Sequence, residues 1–420
     1  MRTILLLCLL ALPIYAADWP QWRGPARDGI SAETGLLKKW PEGGPKLLWK
    51  TNKAGNGLSS AAVVGGIVYT MGARGDDEYA LAFDGKGQEL WATKLGPVHD
   101  WKANQWSRGS LATPSVVGDH VYVLTSKGLL ACLTTKGEIV WKKDLPTDMK
   151  AQVNPVGGGI DDYGWGYAWS PIVDGDQLII TPGGPEGLFA ALDRKTGNSI
   201  WRSKDIKEQA TYASPAVGTI GGVKMAFTVT QKTFYAVNLK DGSLLFKRQR
   251  DEDYPDIVCP TPVVVGNKVY FNVGYGGGES QVFEGDGKTF KPVWGEKEVS
   301  SKQGGTVIVG KFIYGYHEDR SWMCQDFETG KVVWPTKRMR QTLKAGSVIA
   351  ADGLLLVQEE EGKVGLLEAT SKGYTPLGEF TLPEKSSLRK TSMKVWTHPS
   401  LSDGKLYLRD QEWIFCYEVK

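Results

Sequence analysis

The chain has only five cysteines and four histidines in 420 residues. No histidines stand at zinc spacing and H-E-x-x-H is absent, so there is no zinc-hydrolase signature. C-x-x-C-H is missing, which excludes haem attached through that motif. No nucleophile motif supports a hydrolase. There is no run of like charges and no low-complexity tract. Fifty Lys+Arg stand against 47 Asp+Glu, a net charge of +3, which gives no reason to expect nucleic acid. Beyond the first residues no apolar stretch is long enough to span a bilayer. No segment reads as a convincing helix. The glycine-rich stretches 183–187 and 274–280 therefore lack the helix N-terminus that a phosphate loop needs, and they read as hairpin loops. The paired carboxylates of "GDDEY" (75–79) do not follow the EF-hand pattern.

The start of the chain is a targeting pattern. Arg2 gives a positive start, residues 4–12 an apolar core, and "YAA" (15–17) a small-residue end. Residues 1–16 are expected to be a signal peptide. Leu7 precedes Cys8 where a lipidated cysteine needs a small residue. The protein is therefore expected to be exported to a periplasmic or extracellular compartment without a lipid anchor. Cleavage leaves Cys132, Cys259, Cys324 and Cys416.

What the chain has in abundance is glycine, 52 residues against a usual share of about 7%, and a repeat. "LAFDGKGQELW" (81–91), "ACLTTKGEIVW" (131–141), "ALDRKTGNSIW" (191–201), "AVNLKDGSLLF" (236–246) and "CQDFETGKVVW" (324–334) are one phrase: strand, glycine turn, strand ending in an aromatic. A second phrase precedes it. "ATPSVVGDHVYVL" (112–124), "WSPIVDGDQLIIT" (169–181) and "PTPVVVGNKVYFN" (260–272) each read as a strand, a Gly-Asp or Gly-Asn hairpin turn and another strand. Each unit thus has four strands, A to D. The units recur mostly every 40 to 50 residues, with one interval of 60 before Trp201, the period of propeller blades. Cys132, Cys324 and Cys416 fall where other units have Ala, so they are expected to be buried, unpaired and apart.

The two ends complete each other. Residues 397–420 supply strands A, B and C and then stop, while 44–50 supply an orphan strand D ending at Trp49. Pairing them predicts an all-β, eight-bladed propeller closed across the termini, occupying 44–420, with no stranded edge. Residues 17–43 are read as an extension packing on the propeller, and loss of 17–21 is expected to destabilise the ring much less than loss of the orphan strand 44–50.

The pattern Ala-x-Asp-x-x-Thr-Gly-x-x-x-Trp, complete at Ala191, Asp193, Thr196, Gly197 and Trp201, resembles the tryptophan-docking repeat of the quinoprotein alcohol dehydrogenase-like propellers. The opening "DWPQWRGPARDGIS" (18–31) resembles secreted bacterial proteins with PQQ-binding-like repeats. The resemblance covers roughly 18–420 and implies architecture more than activity. Catalytic members of the family hold pyrroloquinoline quinone (PQQ) above a calcium-type ion, and many cover it with a ring of adjacent disulfide-bonded cysteines. This chain has no adjacent cysteine pair. No residue here matches the family's metal-binding set or its catalytic aspartate. A similar propeller, a lipoprotein, serves in outer-membrane assembly.

The D-to-A connections and B-to-C loops share one face, around the mouth of the channel. Positions leading into strand A carry Trp106 and Arg108; Trp165, Tyr167 and Trp169; Thr211 and Tyr212; Lys302 and Gln303; Lys344; and Lys394, Trp396 and His398. His317 and Arg320 are placed in a B-to-C loop of the same face. Asp161 and Asp162, in the longest connection, are candidate bases without support. Aromatics with cations at a concave mouth suit a ring-shaped or anionic ligand. The alternative is that they plug the channel and pack the loops. The reading of function is a non-catalytic monomer with no cofactor, presenting its funnel and rim to a protein, peptide or glycan. The alternative is a PQQ- and calcium-dependent dehydrogenase oxidising an alcohol or polyol.

Overall fold

The computed structural model describes residues 18–99, 108–155, 164–250, 257–275, 278–296, 301–317, 321–336, 340–390 and 392–420. Eight antiparallel sheets stand side by side in a ring, their innermost strands in contact. Blade 1 is typical: Ala62–Val64, Ile67–Arg74, Asp77–Phe83 and Glu89–Pro97 pair in chain order from the channel outward. The orphan strand Lys46–Thr51 pairs antiparallel with Trp413–Glu418, the third strand of blade 8. The ring is therefore closed by both ends of the chain, as the repeat predicted. Among the described residues no helix is long and apolar enough to cross a membrane. One helix does exist. Leu145–Met149 forms a single turn at the start of a connection read as loop, capped by Asp144, which accepts from Thr147 N.

One row of side chains explains the repeating phrase. Strand B places a tyrosine opposite a small residue on strand C, which faces the strand D tryptophan: Tyr122, Cys132 and Trp141; Tyr314, Cys324 and Trp334; Tyr407, Cys416 and Trp49. The small residue lets the two rings meet over it, with centroids 6.4, 6.2 and 6.1 Å apart. The three cysteines are buried and, like Cys259, free.

The tryptophan also reaches the next blade. Trp91 Nε1 donates to Thr135 O at 2.9 Å, Trp141 to Arg194 O at 3.0 Å, Trp294 to Phe327 O at 2.8 Å. Each ring lies on the glycine of that blade's C-to-D turn. A Cβ on Gly137 would stand 2.7 Å from Trp91, one on Gly330 2.7 Å from Trp294, and one on Gly87 2.5 Å from Trp49. The glycine is thus required twice, for its left-handed backbone and for the bare surface under the ring. Where the chain is split, Phe380 of blade 7 lies on Gly44, just before the orphan strand.

Arg409 locks the same seam. Its buried guanidinium donates to Ser59 O (2.6 Å), Met71 O (2.7 Å), Gly55 O (3.0 Å) and Gln411 O (2.7 Å), joining blade 8 to blade 1. Burial lowers its pKa to about 9, opposed by Glu412 and Asp410.

The segment before the orphan strand runs through the inner face of the ring. Trp19 exchanges two 2.8 Å backbone bonds with Val63 of blade 1, and Val116 N of blade 2 donates to Pro20 O. Arg27 reaches Val173 O of blade 3, Trp22 Nε1 reaches Thr261 Oγ1 of blade 5, and Arg23 reaches Thr306 O of blade 6. Ile30–Ser31 then adds a parallel strand inside blade 7. Trp19 is 2% exposed. Residues 19 and 20 thus bond to inner strands of blades 1 and 2, so the start of the extension is part of the packed ring. Trp19→Ala is expected to cost about 3–5 kcal/mol, read as a lower denaturation midpoint.

Gly330 and Gly353 have nearly equal φ, +74° and +75°, but a Cβ on Gly353 meets nothing within 4 Å. Both Ala variants pay about 1–2 kcal/mol for the left-handed backbone. Gly330→Ala is expected to lose clearly more, because Trp294 must also lift. Equal melting temperatures for the two variants would overturn the docking argument.

Candidate functional site

The lead-in to each strand A carries a hydroxyl in "SSAA", "TPS", "SPI" and "SPA", and these hydroxyls link the blades. His398 N donates to Ser60 Oγ (2.8 Å), Ser60 N to Thr113 Oγ1 (3.2 Å), Thr113 N to Ser170 Oγ (2.9 Å) and Ser170 N to Ser214 Oγ (2.9 Å). The chain of bonds runs from blade 8 through blade 4 around the channel. Just outside it lies a cavity of about 80 Å³, lined by Trp22, Leu58, Leu111, Trp165, Ala168, Ser170, Tyr212, Ser214, Cys259, Gln303 and Trp396. Trp165 and Trp396, from blades 3 and 8, stack at 5.4 Å and 15°. Trp22 closes the inner end and meets the His398 ring edge-on at 4.4 Å.

Of the residues expected at the mouth, the structure brings Trp165, Tyr212, Gln303 and Trp396 together around this cavity. Others lie elsewhere. Tyr167 and Trp169 are fully buried among the side chains between blades 2 and 3. His398 is buried, with Nε2 3.0 Å from Gln303 O. Arg108 turns outward to Gly75 O and Asp76. His317 is not in a loop; it ends strand Phe312–His317, pairs with Ser321 and is buried. Lys344 is exposed and away from the cavity, its backbone N–H held by Glu359. Lys394 pairs with Glu361. Lys302 sits over the Tyr275 ring at 4.6 Å, and Thr211 donates to Val229 O. Trp106, Arg320, Asp161 and Asp162 lie outside the described residues. The sequence reading missed Trp22, because nothing in the repeat reports where a segment outside it will dock.

The polar groups near the cavity are engaged with one another. Glu360 Oε1 accepts from Trp396 Nε1 (2.8 Å) and Gln303 Nε2 (2.7 Å), and Tyr275 donates to Gln303 Oε1 (2.6 Å). Tyr212 donates to Asn154 O at 3.0 Å, and its phenol pKa is raised by burial. Burial, then the charge of Arg23, lowers the His398 pKa to about 3, against the bond to Gln303 O. That imidazole stays neutral and is a poor base near neutral pH.

These residues do not fit PQQ with a calcium-type ion. Such a polyanion needs cations and a set of oxygen ligands. The described lining offers hydroxyls, an amide and a thiol, and its volume is well below the roughly 300 Å³ at which ligand pockets begin. Among the described residues no cluster of three or more His, Cys, Asp or Glu is placed to hold a metal.

Beside the mouth, Glu78 is buried and, among the described residues, has no cation against it. Ser110 and Ser126 donate their hydroxyls to it, and Ser126 N adds a 3.2 Å bond. Burial raises its pKa more than these bonds lower it. The protonated form therefore favours the fold: the stabilisation is complete below the unfolded value of about 4.3 and is lost as pH rises through the raised folded value. Glu78→Gln is expected to melt like the parent near pH 4 and above it at neutral pH. Thermal melts across this range check the sign.

Residues 76–336 match the family described as "Outer membrane protein assembly factor BamB". The chain is 24% identical over 358 residues to the outer membrane protein assembly factor BamB of Burkholderia pseudomallei (strain K96243), covering 79% of this chain and 78% of that one. The crystal structure of BamB from Moraxella catarrhalis matches with a TM-score of 0.55 at 14% identity, over 86% of this chain and 94% of that one. The quinohemoprotein alcohol dehydrogenase of Comamonas testosteroni matches with a TM-score of 0.65 at 12% identity, over 96% and 80%. The two structures share the fold; the sequence match extends over most of the chain, and this protein belongs to the PQQ-like repeat family of outer membrane protein assembly factor BamB.

Proposed function

We propose that this chain is a non-catalytic binding propeller, exported and working beside the outer membrane, where its mouth receives a protein partner during outer-membrane protein assembly. The observation that carries this reading is the occupied channel. The chain's own segment Trp19–Ser31 bonds to the inner strands of blades 1, 2, 3, 5, 6 and 7. Beside this segment is a small recess at one mouth whose described lining carries no charge. A recess of that kind suits recognition of an apolar group, not the orientation of a charged cofactor. Membership of the BamB family supports the choice of a protein partner over a glycan.

The test uses purified full chain against an unfolded outer-membrane β-barrel precursor and, separately, against PQQ with calcium. Saturable binding of the precursor with a Kd of about micromolar strength, and no dye-linked alcohol oxidation with added quinone and calcium, is expected. Micromolar quinone binding with alcohol oxidation, and no binding of the precursor, would replace this reading by the dehydrogenase.

A further inference from the structure

We propose that the mouth cavity is an anchor pocket for one aromatic side chain of an extended polypeptide, whose neighbouring peptide carbonyl accepts from Ser170 and Ser214. This inference rests on the protein-partner reading above.

Three observations carry it. The first is shape and surface. The recess of about 80 Å³, open to the mouth, has room for one side chain at most, and Trp22, Trp165 and Trp396 present aromatic faces and edges to it. An aromatic ring gains from such contacts beyond its buried area.

The second is an unused pair of donors. Ser170 and Ser214 are 2% and 4% exposed. Their oxygens accept from Thr113 N and Ser170 N. Among the described residues neither hydroxyl donates to a protein acceptor; the same holds for Ser60 and Thr113 in the same row, but of the four only Ser170 and Ser214 line the cavity. Ser115 and Ser400, on the same inner strands, do donate, to Pro171 O and Ala61 O. A buried hydroxyl with an idle proton favours a ligand that brings an acceptor, and every peptide carries one beside its side chain.

The third is the lack of charge in the described lining. A carboxylate or ammonium would be desolvated there without a counter-charge. A sugar ring brings many hydroxyls that each need a partner. The Gln303 side chain already accepts from Tyr275 and donates to Glu360, so too few polar groups remain for a glycan.

The probes are N-acetyl-phenylalaninamide, N-acetyl-leucinamide and maltotriose, added to the full-length protein. Tryptophan fluorescence and the rate of Cys259 alkylation are followed together. Cys259 is the cysteine in the cavity lining, whereas Cys132, Cys324 and Cys416 are buried in the blades. The phenylalanine amide should give a saturable fluorescence change with a Kd of about millimolar size and slow Cys259 alkylation at least about fivefold at saturation. The leucine amide should bind at least about threefold more weakly, and maltotriose should do nothing. Leu111→Phe and Ala168→Leu, each filling the cavity from its rim, should weaken the phenylalanine amide at least about fivefold with little change in melting temperature. No saturable change at about 20 mM, an equal response to maltotriose, or unchanged binding in both folded variants would overturn the anchor pocket. A barrel precursor that binds both variants as well as the parent would also overturn it, and would leave the protein-partner function standing. Binding of the amide without any binding of a precursor would do the reverse.

Discussion

A tryptophan ring lying on a bare glycine of the next blade is the contact on which this ring of sheets depends. The ring fills the wedge between twisted neighbours, its N–H satisfies a carbonyl there, and the glycine cannot carry a side chain without lifting it. The rest of the repeat follows. Strand C must be small opposite the tryptophan, so Ala, Val or Cys stands there, and a tyrosine from strand B, or Ile179 in blade 3, can then close over it. The two departures keep the same packing by other means. Phe246 of blade 4 packs against Phe271, Phe283 and Phe290 of blade 5, a cluster of rings in place of ring on glycine. Phe380 of blade 7 finds its glycine at Gly44, at the other end of the sequence.

A closed array has to join its last unit to its first as well as it joins any other pair. Pairing Lys46–Thr51 with Trp413–Glu418 supplies the missing strand and sets Trp49 on Gly87. The copy is imperfect: among the described residues Trp49 Nε1 is buried without a partner, where Trp91 and Trp141 have one. Arg409 reinforces this junction with bonds to carbonyls of both blades. Burying a guanidinium is unfavourable unless its donors are satisfied. Its lowered pKa reflects that cost, and the backbone carbonyls around it are what make the burial tolerable.

The blades were legible because they repeat. Trp201, Gly197 and Ala191 recur with their spacing intact, and a contact needed in nearly every blade leaves that many traces. The unpaired cysteines were legible for the same reason, as substitutes at a known position. The mouth was legible only in part. Alignment places Trp165, Tyr167 and Trp169 together before a strand, but strand direction sends only Trp165 to the cavity and the other two into the packing between blades. His398 looked like a functional histidine and is a buried, neutral one. Trp22 was hidden for a different reason. Its partner Thr261 lies 239 residues away, and a segment used once in the molecule leaves no internal pattern to compare.

That asymmetry bears on how one fold serves different chemistries. Among the described residues the deeply buried cations are tied to structure: Arg23 and Arg409 to backbone carbonyls, Arg250 to Glu279 and Gln231 O, and Arg389 to Asp410. None of them lines the mouth cavity. A quinone site would need such charges turned toward the axis with space in front of them; here Trp22 lines the cavity and Arg23 is held by Asp28 O and Thr306 O. Changing what this propeller holds would therefore begin at Trp22, which no blade contact between tryptophan and glycine requires.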